Sequence, residues 1–126
     1  MSHATDDFET IRRGLTEVWA TQGRKFVTFE PSSSRGAGGE GWVQYLDGEV
    51  NASWPLEEEP AVALARRGVT LPPGAFVAWH ATGSNAVFAM GDASLDDVAR
   101  FVSALLSRVL ADGAGAPLAA RVDSHR

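Results

Sequence analysis

Two aromatic and β-branched runs separated only by Asp47-Gly48 constrain this chain's fold more than any other feature. Residues 42–46 read Trp-Val-Gln-Tyr-Leu, and residues 49–54 read Glu-Val-Asn-Ala-Ser-Trp. An Asp-Gly link of two residues suits a turn in which both take positive φ, and such turns join neighbouring antiparallel strands. Val50, Ala52 and Trp54 alternate with Glu49, Asn51 and Ser53, so the second strand has one dry face. A hairpin with a dry face needs another layer against it, and the rest of the chain must supply that layer.

Helical periodicity supplies it. Phe8, Ile11, Leu15, Val18 and Trp19 recur at helical spacing and predict a helix over residues 7–22, with Asp6 or Asp7 capping its start and Gly23 ending it. Gly14 is a weak point in that helix, worth about 1 kcal/mol against Ala. A second, shorter helix over residues 56–67 would carry acids at its start and Arg66-Arg67 at its end, matching the helix dipole. Ser94-Leu95-Asp96-Asp97 resembles a capping box and opens a long third helix, with Leu95, Val98, Phe101, Val102, Leu105, Leu106 and Val109 on one face. That helix is expected to run to about Asp112, with Gly113 closing it.

Three further strands complete the pattern. Residues 25–30 are stopped by Pro31, and residues 76–81 and 86–90 flank Thr82-Gly83-Ser84-Asn85 as a second hairpin. The expected order is α-βββ-α-ββ-α. This is an α+β domain with a largely antiparallel five-stranded sheet and its helices packed on one face. At 126 residues the chain fits one domain, expected over residues 7–112 between an N-terminal tail, 1–6, and a flexible C-terminal tail, 113–126.

Composition removes several function classes. Eleven basic against sixteen acidic residues give a formal charge of −5, and Lys25 is the only lysine. Phosphate backbones and anionic lipid surfaces are held by clustered cations, so neither nucleic acid nor a membrane surface is an expected partner. Without cysteine there is no disulfide, zinc–thiolate site or thiol nucleophile. No stretch approaches the ~18 apolar residues of a membrane span. The first residues also lack the basic start and apolar run of a signal peptide, and the expected location is the cytoplasm.

The polar constellations have ordinary readings. Residues 36–41 satisfy G-x-G-x-x-G, but they lead into a strand, whereas phosphate binding needs a helix N-terminus there. His3 and His125 fall in the expected tails, and His80 sits in a strand on the face of Phe76 and Ala78, as a structural or rim histidine. Glu57-Glu58-Glu59 and Asp96-Asp97 lie at expected helix starts, where negative charge is stabilising. Ser32, Ser33 and Ser34 lack a nucleophile-elbow context. The expectation is a non-catalytic domain with no cofactor and no metal.

The informative surplus is apolar. Trp42 and Leu46 share one strand face, and Val43 and Tyr45 the other; Val87 and Ala89 oppose Phe88 and Met90; Val77 and Trp79 oppose Phe76. A sheet with helices on one side needs only one apolar face, so the second face calls for cover, by a homodimer, a bound peptide or both, or else by the chain's own tail or a helix. Trp42, Tyr45, Phe76, Phe88 and Met90 are the candidate peptide- or partner-binding surface. A competing expectation is a small-molecule or enzymatic pocket where His80, Glu30 and the 36–41 loop converge with aromatic residues.

The element order, together with residues 26–29, residues 42–45, Phe8 and Leu15, Leu64, Arg67-Gly68-Val69 before a proline turn, and Trp79, resembles the class I type III secretion chaperone fold. It is similar in particular to the bacterial TY-Chap and YbjN-like families. The resemblance spans about residues 7–112, and the chain departs from it in its glycine-rich 36–41 loop and its short, Ala-rich second helix. It implies a homodimer that holds extended segments of a protein or peptide client without ATP.

Overall fold

The computed structural model describes residues 3–31, 41–110 and 118–124. The elements in order are α1 (His3–Trp19), β1 (Lys25–Pro31), β2 (Val43–Leu46), β3 (Glu49–Trp54), α2 (Pro60–Arg66), β4 (Phe76–Ala81), β5 (Ser84–Ala89), α3 (Leu95–Ala104) and β6 (Leu118–Ser124). A π-helical turn, Leu105–Val109, extends α3. The class is α+β, as the hairpin and the helical stripes dictate. The sheet has six strands in the order β4-β5-β3-β2-β1-β6, every neighbour antiparallel.

The sixth strand corrects the expectation of five strands and a flexible tail from residue 113. Residues 118–124 pair with all seven residues of β1, from Lys25 against Ser124 to Pro31 against Leu118. Leu118 and Val122 alternate with small and polar neighbours, a short period-2 signal with little bulk.

Local chemistry explains most of the boundaries. Asp47 and Gly48 both have positive φ, 46° and 88°, as the tight β2–β3 hairpin requires. The β4–β5 hairpin turns on Thr82-Gly83, with Gly83 at φ 77°. The Ser94 hydroxyl accepts the Asp97 backbone N–H at 3.1 Å and starts α3. Helix α1 begins at His3, inside the expected tail, so Asp7 lies within the helix and is not its cap. Its Oδ1 instead accepts the backbone N–H of Leu118 at 3.3 Å.

Helix α2 starts only at Pro60, a residue whose fixed φ and missing N–H suit the first helical position. The acids before it are therefore not in its first turn. Glu58 folds back onto Arg66 at 2.7 Å and Arg67 at 2.9 Å, and its carbonyl accepts the indole N–H of Trp54 at 2.9 Å.

One face of the sheet carries the core. Val27, Phe29, Val43, Tyr45, Val50, Ala52, Trp54, Ala86 and Phe88 are buried there against Ile11, Leu15 and Val18 of α1 and Val98, Phe101 and Val102 of α3. Phe88 meets Phe101 edge to face at 5.1 Å and Trp54 at 6.3 Å. Trp19 stacks on Tyr45 at 5.2 Å. At Gly14 helix and sheet approach so closely that a Cβ would sit 2.9 Å from Cε1 of Phe29. No helix among the described residues is long and apolar enough to cross a membrane.

Candidate functional site: the open face of the sheet

The face away from α1 and α3 is built by the intervening residues of each strand. Strict register lays Trp79, Val87, Asn51, Gln44, Thr28 and Arg121 side by side across all six strands. A second row runs Phe76, Ala89, Glu49 and Leu46.

Trp79 belongs to this face because β4 contains a bulge. Val77 pairs with Phe88 and Trp79 with Val87, so two steps on β4 answer one step on β5 and Ala78 is the extra residue. Strict alternation set Trp79 opposite Phe76; the bulge restores it to the same side. Phe76 is 57% exposed and Trp79 53% exposed, the two largest exposures among the bulky apolar residues described. Val87 and Ala89 lie half-buried between them and the centre of the sheet.

The same bulge moves His80. It pairs with Ala86, a core residue, so it lies on the opposite face from Phe76 and Trp79.

Across the sheet the surface changes character. The centre is polar and partly paired within itself: Asn85 Nδ2 donates to Asn51 Oδ1 at 2.7 Å, and Gln44 Nε2 donates to Thr28 Oγ1 at 3.1 Å. The far side is ionic, where Arg121 reaches Asp123 at 3.0 Å and Glu30 at 3.3 Å. Its hydrogen bond and ion pair with Asp123, then the charge of Glu30, raise the guanidinium pKa. The face thus grades from aromatic at β4–β5 through amide to charged at β1–β6.

Of the five candidate surface residues, Phe76 lies exposed on this face, and Trp42, opposite Ser53, is half-buried on it. Tyr45, Phe88 and Met90 do not belong to any surface: they are 6%, 0% and 1% exposed. Val50 pairs with Tyr45 on one side and Phe88 on the other, so the side of β3 that meets the helices carries both inward. Burial raises the Tyr45 phenol pKa; its oxygen accepts the Gly48 N–H at 3.0 Å, which opposes the rise, and Asp47 adds to it. Trp79 was the residue that alternation misassigned, and no one-sequence signal marks the bulge.

The expected pocket around His80, Glu30 and the 36–41 loop draws on residues 32–40, which lie outside the described residues. A groove of about 510 Å³ lies elsewhere, between α3 and residues 68–73, with Val69, Leu71 and Phe101 in its walls and Arg100 and Arg108 on its rim. His80 and Glu30 do not line it. Both arginines are already engaged, Arg100 with Asp97 at 3.1 Å and Arg108 with the Gly68 carbonyl at 3.1 Å. Asp96 is likewise paired, with Arg12 at 2.9 Å. Among the described residues no three His, Asp or Glu side chains are grouped so that they could hold a metal ion.

No family model matches this chain, and no curated protein or solved structure matches it.

Proposed function

We propose that this chain is a non-catalytic protein- or peptide-binding module, chaperone-like and independent of ATP, that meets its client or a second copy of itself through the β4–β5 half of the open sheet face. One observation carries the reading: the bulge at Ala78 holds Phe76 and Trp79 on the same side, both more than half exposed. Two large aromatic side chains beside Val87 and Ala89 leave an apolar patch in water, and such patches are the usual anchors of protein interfaces. In the polar centre of the face Asn85 is paired with Asn51 and Gln44 with Thr28, so part of its hydrogen bonding is already made within the sheet. The resemblance of the expected α-βββ-α-ββ-α order to secretion-chaperone-like families favours the same class of function, and a chain with no cysteine suits the cytoplasm.

The test has two arms. Purified protein at a one-to-one ratio is expected to suppress the light scattering of a chemically unfolded model protein, and the Phe76→Ser/Trp79→Ser variant is expected to lose that effect while keeping its thermal melt. Sedimentation of both proteins reads self-association through the same face. Failure of the wild-type chain both to suppress aggregation and to self-associate would overturn the reading.

A further inference from the structure

We infer that β6 is a displaceable strand, and that the edge of β1 beneath it accepts in its place an extended segment of another protein bearing a cation next to one apolar residue and three positions after another. This inference stands independently of the aromatic patch, which lies at the opposite side of the sheet.

The first ground is that β6 contributes no fully buried side chain to the core. None of the buried residues comes from residues 118–124; Leu118 and Val122 only pack against the core from its margin. Val27 and Phe29 of β1 are fully buried between the sheet and α1. β6 is held by its backbone ladder to β1 together with Leu118, Val122 and the Asp7 and Glu30 contacts, and a ladder of main-chain hydrogen bonds can be made by any extended segment.

The second ground is the shape of the β4 edge and of the β1 side that displacement of β6 would expose. β4 is interrupted by its bulge, which twists an edge and spoils it for strand addition. β1 pairs over seven consecutive residues with no irregularity. Of the two, the β1 side is the one shaped for a strand.

The third ground is charge. Two carboxylates flank the seat: Asp7 accepts the first backbone N–H of β6, and Glu30 meets Arg121. Leu118 and Val122 lean toward the core at the positions opposite Pro31 and Val27. An incoming strand is therefore read as apolar, two free positions, a cation, then apolar. β6 itself, Leu-Ala-Ala-Arg-Val-Asp-Ser, is the resident example.

A cysteine-free chain makes the test clean. Lys25 and Ser124 are exposed register partners, so Lys25→Cys/Ser124→Cys in the full chain should form one disulfide that locks β6 in place. The probe is a fluorescein-labelled peptide of residues 118–124, read by anisotropy. Reduced protein is expected to bind it at least tenfold more tightly than oxidised protein, and Val122→Ser should tighten binding further by weakening the resident strand. Replacing the peptide's arginine by glutamate should cost at least tenfold. Equal binding by the oxidised and reduced forms would overturn the proposal, as would no binding to either the reduced protein or Val122→Ser with an unchanged circular dichroism spectrum. Disulfide-linked dimers would identify the occupant as the β6 of a second copy and overturn a heterologous partner.

Discussion

Phe76 and Trp79 stand three residues apart on one strand yet project from the same face, because Ala78 is extruded as a bulge between them. An odd spacing on a regular strand would have buried one of them against α3. The two aromatic rings therefore owe their exposure to backbone register and not to a shortage of core.

Their substitution should separate surface from core. Phe76→Ser or Trp79→Ser is expected to change stability by less than about 1 kcal/mol, the span of strand preference at an exposed site. Phe88→Ala, which empties a fully buried site between Trp54 and Phe101, is expected to cost about 3–5 kcal/mol. Urea unfolding of the three variants checks the contrast, and comparable losses at Phe76 and Phe88 would contradict the assignment of faces.

Gly14→Ala tests two opposed effects. In an isolated helix the change should stabilise by about 1 kcal/mol. Here the new Cβ would lie 2.9 Å from Phe29 Cε1 and 3.0 Å from Val27 Cγ2, both on fully buried side chains that have little room to retreat. Overpacking of that kind costs about 1–3 kcal/mol, so the variant is expected to unfold at lower urea than the parent. A stabilised variant would mean that α1 can lift from the sheet without loss.

Acidification should weaken the ion-paired turn before α2. The Arg67 guanidinium, through its hydrogen bond, holds the Glu58 carboxyl below the usual glutamate range; burial opposes this, and the charges of Arg67 and Arg66 add to it. A carboxylate depressed in the folded state contributes stability that is fully present above its unfolded pKa of about 4.3 and is lost as pH falls through the folded value. The melting temperature of the parent should therefore exceed that of Glu58→Gln most near neutral pH, with the gap closing in acid. A gap that stays constant across that range would assign the effect to packing.

Hydrogen exchange should rank the strands. The amides of β6, which has no fully buried side chain, are expected to exchange before those of β3 and β5, whose Val50, Ala52 and Phe88 are sealed in the core. Mass spectrometry of peptic fragments reads this order directly. Protection of β6 equal to that of β3 would place it within the cooperative core.

What was legible in the chain followed from local chemistry. Asp47-Gly48, the apolar stripes of α1 and α3, and the Ser94 cap each act within a few residues; the hairpin and the start of α3 appear where that chemistry puts them, and α1 appears with its start moved to His3. Sheet order is a different matter. The β3–β5 pairing crosses α2 and β4, so nothing adjacent in sequence announces that Phe88 shares a side with Val50. β6 is faint in the sequence because it pairs with β1, some ninety positions earlier, and two aliphatic side chains leave little period-2 signal. Of the five candidate surface residues, only Phe76 and Trp42 lie on the open face, for the same reason. Large side chains were visible, but the side they take depends on long-range register and, at Trp79, on a single extruded residue.

The π-helical turn at the end of α3 makes chain length, more than side-chain identity, the sensitive variable there. The backbone N–H of Leu110 reaches the carbonyl of Leu105 at 2.8 Å, five residues back. In an α-helix, at about 100° per residue, Leu110 would swing away from the side that buries Leu105 and Val109. The wider turn keeps all three inward. An exposed position such as Ser107 should accept most replacements, but deleting it would tighten the turn and rotate everything beyond it out of phase. The end of this helix is tuned like a gear with one tooth added: exchangeable in material, fixed in count.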